Sequence, residues 1–451
     1  MDSFGYWGRQ TYRWSEQDFK ANAQDGHGIP WPVDYSDIAP WYSHVEKFIG
    51  VNGKAEGLPQ LPDGEFQKPM PWFALEKTIG ERLKKKAPDI TLTNARTAIL
   101  TEDLPGRSAC HYCGPCPRGC STGSYFSSQA STLPAARATG NMTLKANTLV
   151  ERLEYDPVSG RIARVHVIDT QTGEKAAYSS RIVFLCASTI ASTQILLNSA
   201  SEEFPNGLAN GSGVLGHYMM DHTLGMSGLG LFLDNMDSYY HGNRPTGLYI
   251  PRFRNLDGQD ADADFVRGYG YQTALLRVDW QTGYNARGFG AQLKDSLRKP
   301  GPWVFALAGF SECLPRESNR MYMSKKLDRF GMPQVAFDFK WSDNEVKLRE
   351  DAARQADRIL KAAGAVYAMP APVEMSLPGE GIHEMGTARM GDDPRQSVLN
   401  RWNQAHEVPN LFVTDGSFMT SASCVNPSLT YMAFTARACD YAVRQMAAGQ
   451  I

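Results

Sequence analysis

An α/β architecture with a second, antiparallel-sheet domain is the expectation from this sequence, and three features of its patterning carry it. RIVFLCAS, residues 181–188, is a continuous apolar run of the kind buried on both faces in a parallel sheet. Residues 223–375 instead alternate apolar and polar side chains, as in WVFALAGFSECLP, RMYMSK and QVAFDFKW, the period-two pattern of a mostly antiparallel sheet. The third feature is the C-terminal stretch, where a short apolar strand, an Asp-Gly turn, a Ser/Thr-rich loop and a long helix follow one another.

Size and charge bound the answer. The 451 residues leave room for two domains and a large core. With 42% hydrophobic residues, 21% charged and a net charge of −2, the composition is that of an ordinary globular protein. The near-neutral balance argues against nucleic acid or an anionic membrane as the main partner. No apolar run approaches the ~18 residues needed to span a bilayer. The opening MDSFGYWGRQTYRW has neither a basic nor an apolar leader segment, so no signal peptide is expected in it.

Taken in order, residues 15–75 are rich in Trp, Pro and Tyr, with a helix at about 37–49 and then a Pro/Gly-rich linker, GLPQLPDGEF. Their aromatic content suits an ordered insertion packed on the core, or a lid, rather than a sugar-stacking platform. Residues 76–88 read as a basic amphipathic helix ending at Ala87-Pro88. LKANTLVERLEYD is a strand, GRIARVHVIDTQTGE a strand running into a Thr-Gly turn, and the buried run at 181–188 leads to a helix at Ser192–Asn198. Gly211, Gly213 and Gly216 fit G-x-G-x-x-G, but NSASEEFPNGLAN stands where an apolar strand should precede them. They therefore read as a loop leading to His217 and His222, two histidines with a structural role. A helix at Ser342–Ala363 backs the alternating strands. Leu411-Phe412-Val413 is the last strand, ended by Asp415-Gly416. Asn426 and Pro427 then open a helix to about Arg444, with Asn as a favoured N-cap and Pro suited to the first helical position. Strand, small-residue loop and helix N-terminus form a cradle for an anionic or electron-rich ligand. His383 and Asn426 are the polar side chains best placed to face it.

Cys110, Cys113, Cys116 and Cys120 give C-x2-C-x2-C-x3-C, the spacing of a bacterial iron–sulfur run, although Ser121 replaces the usual proline after the last cysteine. A structural zinc site and disulfides or free thiols stay open beside an iron–sulfur centre. Cys186, Cys313, Cys424 and Cys439 are scattered in apolar settings and read as core residues.

HEMGTARMGDD, beginning at His383, and TDGSFMTSASCVNPSLTYMAFTARACDYAVR, ending at Arg444, resemble the C-terminal signature of the glucose–methanol–choline (GMC) family of flavin-dependent oxidoreductases. The pyranose-oxidase-like and sugar-dehydrogenase-like branch is the nearest in pattern. The resemblance implies an FAD-binding domain at residues 1–222, a substrate-binding domain at 223–375 and a return to the first domain at 376–451. It implies that His383 is the catalytic base and that Asn426 is the second active-site residue, positioning the substrate oxygen. Asp415 and Gly416 would lie along the ribityl and phosphate chain of the cofactor, with Asn426, Pro427 and Ser428 beside the flavin. Trp7 and Gly8, in a segment like the one that runs past the flavin ring, would also contact the cofactor. Val150 would meet the adenine end, and Ala187, in the turn Cys186-Ala187-Ser188, would lie near the pyrophosphate. The family's G-x-G-x-x-G βαβ unit is expected ahead of Tyr6, so the FAD-binding domain is expected to be incomplete in this chain. Glu312 and Arg320 are candidates for substrate specificity.

The function so implied is FAD-dependent oxidation of a CH–OH group on a sugar, glycoside or other alcohol. A neutral His383, for which an ordinary pKa of roughly 6.5 is suitable, would take the hydroxyl proton as hydride passes to the flavin. Two other readings are an FAD-free remnant or subunit without catalysis, and an electron-transfer subunit with an iron–sulfur centre at the four-cysteine loop. The resemblance leaves the alcohol, the electron acceptor and any partner subunit unnamed.

Overall fold

Capping chemistry written in the sequence starts the first helices. Ser15 and Asp18 exchange side-chain-to-backbone bonds in a capping box that opens α1 (Glu16–Asp25), and Gly26 in the left-handed conformation closes it. At α2 (Tyr35–Ile49) the Asp37 carboxylate accepts from the Asp34 backbone, 3.0 Å away, and Gly50 ends the helix. The computed structural model describes residues 8–238, 242, 244–278, 288–298 and 300–451. The remaining elements are α3 (Ala74–Lys86), β1 (Thr93–Asn94), α4 (Thr132–Ala138), β2 (Thr148–Asp156), β3 (Arg161–Asp169), β4 (Lys175–Tyr178), β5 (Val183–Leu185), α5 (Thr189–Leu197) and β6 (Thr223–Phe232). There follow β7 (Leu248–Ile250), β8 (Tyr269–Arg277), α6 (Gly290–Arg298), β9 (Trp303–Ser311), β10 (Arg320–Leu327), β11 (Pro333–Asp338), α7 (Asp343–Ala363), β12 (Tyr367–Pro370), β13 (Leu411–Val413) and α8 (Ser428–Ala447).

The alternating stretch forms a six-stranded antiparallel sheet in the order β1-β7-β8-β9-β6-β12. Directly opposed residues share a face. Thr273 and Leu307, and Leu275 and Phe305, are opposed, and their face belongs to a core with Leu75, Ile79 and Leu83 of α3 and Leu348, Ile359 and Leu360 of α7. Gln272 opposite Ala308, and Gly270 opposite Phe310, therefore turn the other way. Two glycines of β6 let α7 lie close: a Cβ at Gly230 would stand 2.9 Å from Leu360 Cδ2. RMYMSK and QVAFDFKW form strands as expected, but β10 and β11 pair only with each other, as a separate hairpin.

The α/β half differs from expectation in one respect. β5 and β13 are parallel neighbours, as the apolar run at 181–188 foretold, with Leu411 opposite Val183. β2, β3 and β4 do not join them; they form an antiparallel meander of their own. The reason is the connection. Residues 157–160, Pro-Val-Ser-Gly, form a four-residue turn, too short for the crossover a parallel pair needs.

The expected helices are present at 35–49, 74–86 and 343–363, the last capped by Ser342. α5 begins at Thr189, three residues before the expected start, because Ser188 at φ +78° already breaks the strand. Gly211–Gly216 is a loop, its Gly211 N–H held by Glu407 at 2.8 Å. Residues 15–75 pack on the core: Trp31 donates to Ser421 Oγ at 2.7 Å, and the Tyr42 and Thr430 hydroxyls meet at 2.8 Å. Among the described residues no helix is long and apolar enough to cross a membrane.

Candidate active site

A buried carboxylate organises the site. Asp221, just ahead of β6, accepts backbone N–H groups of Gly379 and Gly381 at one oxygen, both at 3.0 Å. Its other oxygen accepts from His383 at 3.0 Å and His222 at 2.8 Å. Four donors for one charge are what a fully buried carboxylate requires. They lash the 379–383 loop to the start of the sheet. Met220 and Met385 then exchange backbone hydrogen bonds at 2.9 Å. Gly386 bends the chain at φ +79° where any Cβ would run into the Tyr218 carbonyl, so glycine is required there.

The His383 ring is buried and lies between two partners. Its Nδ1 is 2.8 Å from Nδ1 of His222, and its Nε2 is 3.2 Å from Nδ2 of Asn426. Phe310 covers it from the sheet, ring centroids 5.7 Å apart. Gln272, also from the site-facing side of the sheet, donates to Oδ1 of Asn426 at 2.6 Å. Burial holds both imidazoles below the usual 6.5, and His383, with His222 beside it, well below. The structure thus brings His383 and Asn426 together.

It also corrects the reading of Asn426 as a helix cap. α8 begins at Ser428 with Pro427 as its N-cap and no side-chain cap bond. The Asn426 carboxamide is occupied by His383 and Gln272 instead, and one side chain cannot serve both directions. Asp415 and Gly416 end β13 as expected, but their polar groups are tied to protein. Buried Asp415, its carboxyl pushed up by desolvation, accepts from Ser417 Oγ at 2.6 Å and from Ser192 Oγ. Ser192 Oγ in turn accepts from the Ala187 N–H at 3.0 Å, so Ala187 and Asp415 share one serine. A Cβ at Gly416 would stand 2.5 Å from the Glu384 carbonyl and from Thr189 Oγ1, so this turn needs glycine to pack against both. Val150 lies apart on β2 opposite Val167. Gly8 is exposed, and Trp7 lies outside the described residues.

Both specificity candidates are paired with other side chains of the protein. Glu312 is a buried strut, 2.5 Å from Arg267, which also reaches Asp25. Arg320 is exposed on the β10–β11 hairpin with Asp338 at 2.9 Å. A buried carboxylate needs a cation and an exposed arginine pairs where it stands, although Oε2 of Glu312 is left without a hydrogen-bond partner. His222, read from the sequence as structural, lies in the site; His217 does not, its Nδ1 2.9 Å from the Glu317 carbonyl at the surface. Nothing local links His222 to a residue 161 positions on. Gln272 was accessible in principle from strand alternation, once the buried face was known.

All eight cysteines are free thiols. Cys313 and Cys424 are buried as expected. Cys186, where β5 turns into α5, and Cys439, on the outer side of α8, are exposed and are not core residues. Cys110, Cys113, Cys116 and Cys120 line one small enclosed space with Ile99 and Tyr125. Backbone N–H groups of Tyr112 and Tyr125 point at the sulfurs of Cys110 and Cys120, at 3.4 and 3.5 Å. Among the described residues no group of three or more His, Cys, Asp or Glu side chains is arranged to hold a metal ion.

Two family models described as GMC oxidoreductase match residues 92–224 and 315–435. The chain is 31% identical to the 2-methyl-1,2-propanediol dehydrogenase of Mycolicibacterium austroafricanum, over 99% of this chain and 80% of that protein. It is 27% identical to the 6'''-hydroxyparomomycin C oxidase of Streptomyces lividus (96% and 76%) and 25% identical to the fructose dehydrogenase large subunit of Gluconobacter japonicus (98% and 80%). The solved pyridoxine 4-oxidase from Mesorbium loti superposes with a TM-score of 0.60 at 15% identity, over 96% of this chain and 82% of that one, a likeness of fold.

Proposed function

The chain belongs to the GMC oxidoreductase family, flavoproteins that act on CH–OH groups of alcohols and sugars, and from that premise we propose that His383 is its base and Asn426 its substrate-positioning residue. The observation that carries the proposal is the 3.2 Å approach of Asn426 Nδ2 to His383 Nε2 in a buried setting. Burial keeps the imidazole neutral, so Nε2 can accept a proton from an alcohol. Gln272 occupies Oδ1 of Asn426 and His383 takes one of its two amide N–H groups, which leaves the other N–H to donate to the same alcohol oxygen.

The family implies FAD, which when bound supplies the acceptor for the hydride leaving the carbinol carbon. The residues present fit it. α8 is 20 residues long, its N-terminus adjoins Asn426, and no side chain caps it, so its first N–H groups suit an electron-rich ring edge. In this reading residues 1–222 and 376–451 form the cofactor side and 223–375 the substrate side. The cofactor contacts so proposed are Gly8, Ala187, Asp415, Gly416, Pro427 and Ser428, with Val150 at the adenine end. The relatives named for a propanediol, for fructose and for 6'''-hydroxyparomomycin C support a hydroxyl-bearing substrate of the polyol or sugar kind, and the large-subunit name of one supports a search for a partner subunit. His383→Ala should slow single-turnover bleaching of the flavin by ~10²-fold or more, the scale of a lost general base. Bleaching at near wild-type rate removes His383 from the mechanism.

The zinc and iron–sulfur readings of Cys110, Cys113, Cys116 and Cys120 gain no support from their arrangement, since among the described residues no three such side chains are placed to share a metal ion. Metal analysis of purified protein tests both readings, and clearly substoichiometric iron and zinc would dismiss them.

A further inference from the structure

A neutral imidazole holds one proton and can carry it on either nitrogen. Only Nε2 of His383 is placed to act as the base proposed above, so that nitrogen must be bare. Its other nitrogen faces another nitrogen, Nδ1 of His222, at 2.8 Å. A pair that close needs a single proton between them: two would collide, and none would set lone pair against lone pair.

His222 decides where that proton belongs. Its Nε2 stands 3.2 Å from the Ala422 carbonyl oxygen and 2.9 Å from that of Ser423. Carbonyls only accept, so Nε2 of His222 carries the hydrogen and its Nδ1, in the neutral ring, is an acceptor. Nδ1 of His383 must then be the donor, which leaves Nε2 with its lone pair toward Asn426. The far end agrees: Gln272 donates to Oδ1 of Asn426, turning the amide N–H groups toward that lone pair.

The loop that supplies the carbonyls is held in an uncommon conformation. Ser423 is a non-glycine residue at φ +53°, and its hydroxyl is anchored by the Asp18 carboxylate at 2.8 Å. His222 itself is buried between β6 and this loop, and Asp221 fixes the backbone of both histidines through one oxygen. Every polar atom around the pair therefore favours the same proton arrangement.

Resting on the assignment of His383 as base, we propose that His222 is a positioning residue that sets the tautomer of that base, reading its own orientation from the Ala422 and Ser423 carbonyls. Nitrogen-15 NMR of protein labelled in its histidine rings, with signals assigned through His222→Asn and His383→Gln variants, tests this without turnover. At neutral pH the expected pattern is a protonated Nδ1 and bare Nε2 in His383, and the reverse in His222. His222→Leu should shift His383 toward the Nε2–H form and lower the rate of flavin bleaching about tenfold or more, an effect within the range of general-base catalysis. His222→Asn, whose Oδ1 can still accept from Nδ1 of His383, should restore much of both. A wild-type spectrum with the proton of His383 on Nε2, or an unchanged tautomer in His222→Leu, overturns the proposal. The base assignment fails separately, on a full-rate His383→Ala variant.

Discussion

Asn426 shows how one side chain is contested. By composition it is a good helix cap; in the folded chain its carboxamide is turned to His383 and Gln272, and Pro427 starts the helix. The two buried imidazoles beside it make a pH prediction with a definite sign. Both have folded pKa values below the unfolded 6.5, with desolvation the main cause. Above pH 6.5 neither the folded nor the unfolded chain protonates them. As pH falls through 6.5 the unfolded chain takes up protons that the native state refuses, so stability is lost downward from there toward the depressed folded values. Urea unfolding between about pH 8 and about pH 5 should show this slope, and His222→Asn should flatten it. A slope unchanged by that substitution would mean the ring at 222 is not held neutral.

Among the elements, the loop at 379–383 depends on one carboxylate. Asp221→Ala would strand four backbone N–H groups, and leaving buried donors unmet costs about 3 kcal/mol or more in total. Denaturant unfolding measures this; a change under about 1 kcal/mol would show that water or neighbouring groups replace the carboxylate. Helices were legible from sequence because their signals are local. The apolar stripe of α7 recurs at helical spacing and Ser342 with Glu345 announces its start. α5 was placed three residues late, since a positive φ at Ser188 leaves no trace in composition. β2 and β3 were seen as strands but not as a hairpin apart from β5, because strand pattern says nothing of partner.

Across the whole molecule, buried ion pairs tie distant segments together. Arg267, ahead of β8, joins Glu312 at the end of β9 to Asp25 at the end of α1, so the N-terminal helices are anchored to the sheet. Such an assembly responds as a unit to a ligand that binds only its folded form. FAD at 100 times its dissociation constant should add about 2.7 kcal/mol to stability. A rise in melting temperature that tracks FAD concentration, with flavin co-eluting on gel filtration, is the expected result. No shift and no co-elution would leave the fold without its cofactor and favour the non-catalytic reading.

The chain's own letters pointed to its family, to helices such as α2, α3, α7 and α8, and to His383 and Asn426 as candidates, since each rests on motifs a few residues long whose capping and periodicity act locally. What they left undecided is which atoms meet. His222 reaches His383 across 161 residues and Gln272 reaches Asn426 across 154. Those encounters depend on sheet register, on the face each strand turns inward and on a loop dihedral at Ser423, quantities that emerge only when the whole chain packs and that no spacing along it encodes.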